Sequence, residues 1–181
     1  MEKYLNEAII GNREMIVTYS GKGEVQRMYY PSKDNRQYIN FYHTGVKIND
    51  SDLVYLHNDI NNSYKQYYDV NTNILNTEIT NTYFNLKVLQ IDFVPIKENV
   101  LIKRYTFINE GKIDLSLKFY IHSELLSDRN NHVGCKVTDY GINNALVEVY
   151  VTIKITEELI APVSKKNIIK EYDVLIASKI I

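Results

Sequence analysis

The chain has 181 residues, with 21 Lys plus Arg against 22 Asp plus Glu, and no basic run longer than a dipeptide such as Lys103 and Arg104. That balance leaves no footprint for nucleic acid or an anionic membrane surface, and no apolar run reaches the roughly eighteen residues a membrane-spanning helix needs. The N-terminus, Met1 to Glu7, carries two acids where a secretory leader has a positive region, and the lone Cys135 has no partner for an internal disulfide, so a cytoplasmic location is expected.

At this length a strand-rich chain is expected to form a single β-sandwich domain over 1–181. Sixteen Tyr, against 5 Phe and no Trp, accompany abundant Ile and Val, residues that suit a pleated, half-buried surface. The many Asn and Lys residues are read as a consequence of base composition and given no structural weight.

Period-two alternation dominates the chain. A short helical turn is expected at 3–8, followed by a hairpin in which Met15 to Ser20 and Glu24 to Tyr29 flank the turn Gly21-Lys22-Gly23. Another helical turn is expected at 50–54. Residues 83–93 alternate with Phe84, Leu86 and Val88 on one face, and 100–108 follow after Pro95 and a charged turn as a neighbouring strand. After the turn cluster Asn109 to Lys112, Leu115, Leu117, Phe119 and Ile121 share one face of a central strand, which is expected to be buried. The segment 145–155 alternates in the same way, a third helical turn is expected near 156–159, and 168–177 is the last apolar candidate. Together these give about ten to twelve strands at sandwich or barrel spacing.

Glycoside hydrolysis needs two carboxyl groups held across a sugar. Asp50, Asp52 and Asp59 lie in polar, loop-like stretches where turn formation explains them. The sharpest pair is His122 and Glu124, because a strand sends residues i and i+2 to the same face and sugar mutarotation uses a His acid with a Glu base. The plainer reading is a solvated strand end. His43, His57, His122 and His132 never stand at the i, i+2 or i, i+4 spacing of a local zinc site, so neither a metal site nor a cofactor is expected. Cys135 reads as a small core residue, and no phosphate-cradling glycine loop is present. Tyr29 with Tyr30 and Tyr67 with Tyr68 are the candidate carbohydrate-stacking pairs.

The stretch Ala8-Ile9-Ile10-Gly11-Asn12, then Met15-Ile16-Val17, Gly23-Glu24-Val25, Tyr29-Tyr30-Pro31, Asp34-Asn35 and His43-Thr44-Gly45-Val46 resembles the opening of bacterial glucoamylase-like proteins of glycoside hydrolase family fifteen. Asp92-Phe93-Val94-Pro95 and Val100 to Arg104 fit as well, so the resemblance runs from about residue 6 to about 125. It departs at Arg13, where a second glycine is usual, and beyond about Cys135, where the sequence diverges and stops short of the usual domain length. The resemblance implies an antiparallel β-supersandwich of the galactose-mutarotase-like kind, truncated or standalone. It implies a non-catalytic N-terminal domain, structural and glycan-contacting, that accompanies an (α/α)₆ helical-barrel catalytic domain acting on α-glucan.

Two other readings stand beside it: a standalone mutarotase-like epimerase using His122 and Glu124, and an oligomerising interaction domain. A homodimer is expected, through an exposed docking face and through the apolar finish Leu175 to Ile181, taken as an unpaired strand edge.

Overall fold

A computed structural model describes residues 7–31, 37, 39–125, 136–138, 141–143, 147–156 and 171–180, with side chains described as far as Ser123. Two antiparallel sheets face one another, and the described residues contain no helix. The six-stranded sheet runs β1 (Ala8–Gly11), β2 (Ile16–Tyr19), β3 (Val25–Tyr29), β4 (Ile39–Ile48) and β10 (Leu117–Leu125), with the two-residue β5 (Val54–Tyr55) also paired to β4. The eight-stranded sheet is built from β6 (Asn62–Tyr68), β7 (Leu75–Asn81), β8 (Leu86–Phe93), β9 (Val100–Asn109), β11 (Lys136–Thr138), β12 (Gly141–Asn143), β13 (Val147–Thr156) and β14 (Glu171–Ile180). Its order is β11-β12-β13-β14-β9-β8-β7-β6.

The expected hairpin is β2 and β3, and its turn needs glycine for two reasons. Gly23 has φ 78°, and a Cβ there would stand 3.0 Å from Gln90 Oε1 on the opposite sheet. The Gly11-Asn12 turn between β1 and β2 is likewise built in. Asn12 Oδ1 accepts the Glu14 and Met15 amides, while its Nδ2 donates to the Pro95 and Glu98 carbonyls of the β8–β9 connection. Asparagine therefore carries structural weight that its composition conceals: Asn49, Asn71 and Asn85 hold the left-handed turn positions at φ 52°, 58° and 51°, which Asn tolerates better than most residues.

Three expectations need correction. Residues 82–85 form a turn, so β8 begins at Leu86 and not at 83, although Phe84 still packs against the core that holds Leu86 and Val88. Residues 49–50 form a turn and 51–53 lead without a helical turn into β5, and the described end of 3–8 enters β1 at Ala8. The segment 115–122 does alternate as expected, with Leu117, Phe119 and Ile121 inward and Lys118 and Tyr120 outward. Yet among the described residues β10 lies at the edge of its sheet beside β4, so these side chains are half-buried where a central strand would have sealed them.

The apolar finish is corrected too. Strand β14 pairs with β9 on one side and with β13 on the other, so Leu175 to Lys179 lie inside the eight-stranded sheet and not at an edge. Of the expected helical turn near 156–159, Thr156 ends β13, and 157–159, like Cys135, fall outside the described residues.

The core between the sheets is apolar along most of its length, with Ile10, Met15, Val17 and Met28 from one sheet meeting Leu75, Ile79, Leu101 and Phe107 from the other. Each such side chain contributes about 1.5–3 kcal/mol relative to exposure. Asp92 and Lys103 interrupt it, directly opposed in the β8–β9 register and both essentially sealed from solvent. Lys103 Nζ lies 2.6 Å from Asp92 Oδ1, and Gln90 Nε2 donates to Asp92 Oδ2 at 2.6 Å and to the Gly23 carbonyl at 2.7 Å. The rings of Tyr19, Tyr105 and Tyr42 surround the ammonium at 4.9, 5.6 and 6.0 Å from their centroids. Burial pushes the Asp92 carboxyl up and the Lys103 ammonium down, and their mutual attraction works against both shifts.

Candidate functional site

The outer face of the six-stranded sheet gathers three of the four histidines. In β4 the inward positions Tyr42, Thr44, Val46 and Ile48 are buried, while Phe41, His43 and Lys47 alternate with them and retain solvent contact. His122 of β10 stands directly across the ladder from His43. On the other side Val25 pairs with Tyr42, which sets Glu24 beside His43 at the mouth of the β2–β3 hairpin. Strand β5 then lays Tyr55 opposite Gly45.

Gly45 makes this arrangement possible, because a Cβ there would meet Val54 O at 3.1 Å and the Tyr55 ring at 3.2 Å. With no side chain in the way, Tyr55 lies across the ladder and its hydroxyl reaches His122 Nδ1 at 2.7 Å. His57, two residues beyond Tyr55, returns to the same patch: its ring centroid is 4.6 Å from that of His43, and its Nε2 is 3.4 Å from Glu24 Oε1. His43 Nε2 approaches the same oxygen at 2.9 Å. Phe41 stacks on His43 at 5.1 Å and 29°, and Tyr55 stacks on His57 at 5.8 Å and 22°.

Partial burial governs the charge state of the patch. Desolvation brings His57 down to about 4, with the His43 and Lys22 charges acting in the same direction, so this imidazole is neutral at physiological pH. Desolvation also raises the Glu24 carboxyl, against the attraction and hydrogen bonding of His43. Gln26 Nε2 donates to Glu24 Oε2 at 2.9 Å and leaves Oε1 turned toward the two imidazoles. The ligand-type atoms of Glu24, His43 and His57 all lie within 4.8 Å of one another.

Of the residues singled out from sequence, His122 is exposed and belongs to this patch through Tyr55. The backbone of Glu124 pairs with Phe41, next to a bulge at Leu125, and its side chain lies outside the described residues. The tyrosine pairs are separated between the sheets. Tyr29 ends β3, half-buried and bridged to Gln37, and the half-buried Tyr30 packs against the core just before the cis bond to Pro31. On β6, Tyr67 donates to Glu78 Oε1 at 3.0 Å. Tyr68 Oη accepts the Ile9 amide at 2.8 Å and donates to the Ile9 carbonyl at 2.9 Å, which links the edge strands β6 and β1 of the two sheets. Asp59 anchors its own turn, accepting from the Asn61 amide and from Asn81 Nδ2, while Asp50 and Asp52 are exposed near the β4–β5 turn.

Glu24, Tyr55 and the convergence of His43 with His57 are absent from the sequence reading. The histidines are spaced 14 and 65 residues apart, and only the pairing of β4 with β3, β5 and β10 brings them together. His132 lies outside the described residues.

With the geometry in place, comparison with known proteins bears on the fold. The chain covers 96% of its length on a bacterial glucoamylase crystallised with acarbose, at a TM-score of 0.60 and 12% sequence identity. The likeness is one of fold. It spans 30% of the glucoamylase chain. In sequence, 122 residues, or 67% of the chain, are 26% identical to an uncharacterized glycosyl hydrolase of Methanocaldococcus jannaschii. That match takes up 19% of the hydrolase, so the chain spans about a fifth of this relative's length. No protein-family model matches the chain.

Proposed function

We propose that the chain is the non-catalytic N-terminal β-sandwich module of a glucan-hydrolysing enzyme of the glucoamylase type, serving a helical-barrel catalytic domain in the cytoplasm. The observation that carries this reading is the partial overlap: nearly the whole chain superposes on a sandwich within a glucoamylase, yet it accounts for 30% of that protein and 19% of the related hydrolase. The fate of the acids supports it. Asp92 is sealed between the sheets against Lys103, Asp59 holds a turn, and Glu24 faces two imidazoles, so none of the three is presented as half of an acid and base pair across a sugar. The role is chiefly structural, with α-glucan contact assigned to the exposed Tyr67 on the eight-stranded sheet.

The purified chain is expected to release no glucose from maltose, soluble starch or dextrin. Turnover that survives repurification and disappears in Glu124→Gln would overturn the reading. Polarimetry on fresh α-glucose covers the epimerase alternative, in which loss of mutarotation in His122→Gln would be the decisive sign.

A further inference from the structure

We propose that Glu24, His43 and His57 form a zinc(II) centre on the outer face of the six-stranded sheet, with Glu24 Oε1 and the two Nε2 atoms as ligands and the fourth tetrahedral position left to water. The proposal rests on this patch alone and holds or fails independently of the assignment to a glucan hydrolase.

Zinc bonds to imidazole nitrogen and carboxylate oxygen of about 2.0–2.2 Å put neighbouring ligand atoms of a tetrahedron about 3.3–3.5 Å apart. Here the carboxylate oxygen lies 2.9 Å from His43 Nε2 and 3.4 Å from His57 Nε2, with all three atoms inside 4.8 Å. Opening the 2.9 Å contact to tetrahedral spacing takes a few tenths of an ångström, and bringing the two imidazole nitrogens from within 4.8 Å to that spacing takes side-chain movement of at most about 1.5 Å. One carboxylate oxygen can accept from both imidazoles, and the same convergence of one oxygen and two ring nitrogens presents three metal-ligand atoms to one point.

The donor set narrows the choice of ion. Two imidazoles and one carboxylate suit zinc with an open position and also non-haem iron(II), while calcium and magnesium take oxygen-rich shells.

The surroundings hold the ligands in place, as outer-shell groups do at metal centres. Gln26 fixes Glu24 through the oxygen that does not face the imidazoles, Phe41 stacks on His43, and Tyr55 stacks on His57. His122 is excluded as a ligand through Nδ1, which the Tyr55 hydroxyl occupies. The three ligands come from the β2–β3 hairpin, the middle of β4 and the turn after β5. An ion there would clip the two-residue β5, whose ladder rests on two residue pairs, to its neighbours.

The test uses the full chain stripped with EDTA and titrated with zinc chloride by calorimetry, and with cobalt(II) as a visible probe. About one zinc per chain and the intense visible bands of tetrahedral cobalt are expected. Glu24→Gln, His43→Gln and His57→Gln should each weaken binding more than about 100-fold, Gln26→Leu about 10- to 100-fold, and His122→Gln not at all. Absence of stoichiometric zinc binding by the wild-type chain overturns the proposal, as does binding that survives in the His43→Gln, His57→Gln double variant or is lost with His122. The wild-type cobalt spectrum decides without any variant, and melting curves confirm that each variant is folded.

Discussion

Two of the clusters of ionisable side chains among the described residues differ in what surrounds them. Asp92 and Lys103 face each other between the sheets, fully enclosed, with three tyrosine rings around the ammonium and Gln90 on the carboxylate. Glu24, His43 and His57 lie on the outside of the six-stranded sheet, with side chains 18%, 25% and 16% exposed. The enclosed pair has its attractions answered by fixed partners and offers nothing to a ligand. The outer cluster is desolvated enough to shift His57 and Glu24, yet open enough for an ion or a solute to arrive. Enclosure turns charge into architecture, and partial exposure leaves it available for chemistry.

The most direct way to break this contrast is Lys103→Met, which strands a buried carboxylate and is expected to cost about 3–5 kcal/mol in urea unfolding. Adding Asp92→Leu should recover most of that loss, because well-packed apolar replacements of a buried ion pair are often neutral. An unchanged midpoint in the single variant would mean that the pair is not sealed.

The same difference between enclosed and open positions sharpens along the strands. Leu101, fully buried in β9, should cost about 2–5 kcal/mol on change to Ala. Leu117, half-buried in β10, should cost about 1–2 kcal/mol. Equal losses would show that β10 is covered from outside.

The smallest effect concerns pH, in chelator-treated protein. His57 is depressed from its ordinary 6.5 to about 4 in the fold, so the unfolded chain takes up its proton first. The stability it contributes is complete above 6.5 and is lost as pH falls toward about 4. Glu24, raised by burial, acts in the opposite sense in the carboxylate range, so the upper part of the window belongs to His57. Melting temperature should fall on acidification through this window, and His57→Gln should flatten the slope. An identical slope in that variant would remove His57 as the cause.

Much of the fold is legible in local pattern. The Gly21-Lys22-Gly23 turn between alternating runs forms the β2–β3 hairpin, 100–108 runs antiparallel to β8, and the inward set Leu117, Phe119 and Ile121 is the one that alternation names. The limits are equally specific. Alternation gives the faces of β10 but not its neighbours, so its place at the edge beside β4 among the described strands is invisible. The apolar content of 168–177 suits an exposed edge and an interior strand equally, and the pairing to β9 and β13 decides for the interior. Lys103 and Arg104 look like one basic pair, yet the first is buried and the second exposed.

The sequence by itself determines an all-β chain, its principal hairpins and the inward faces of its strands, because period-two side-chain direction and turn chemistry act over a few residues. Tertiary structure alone decides that Asp92 meets Lys103 across a register, that Gly45 lets Tyr55 lie over the ladder to His122, and that Glu24, His43 and His57 converge. These are contacts between strands, fixed by pairing and sheet packing over separations of 11 to 67 residues, and no spacing along the chain encodes them.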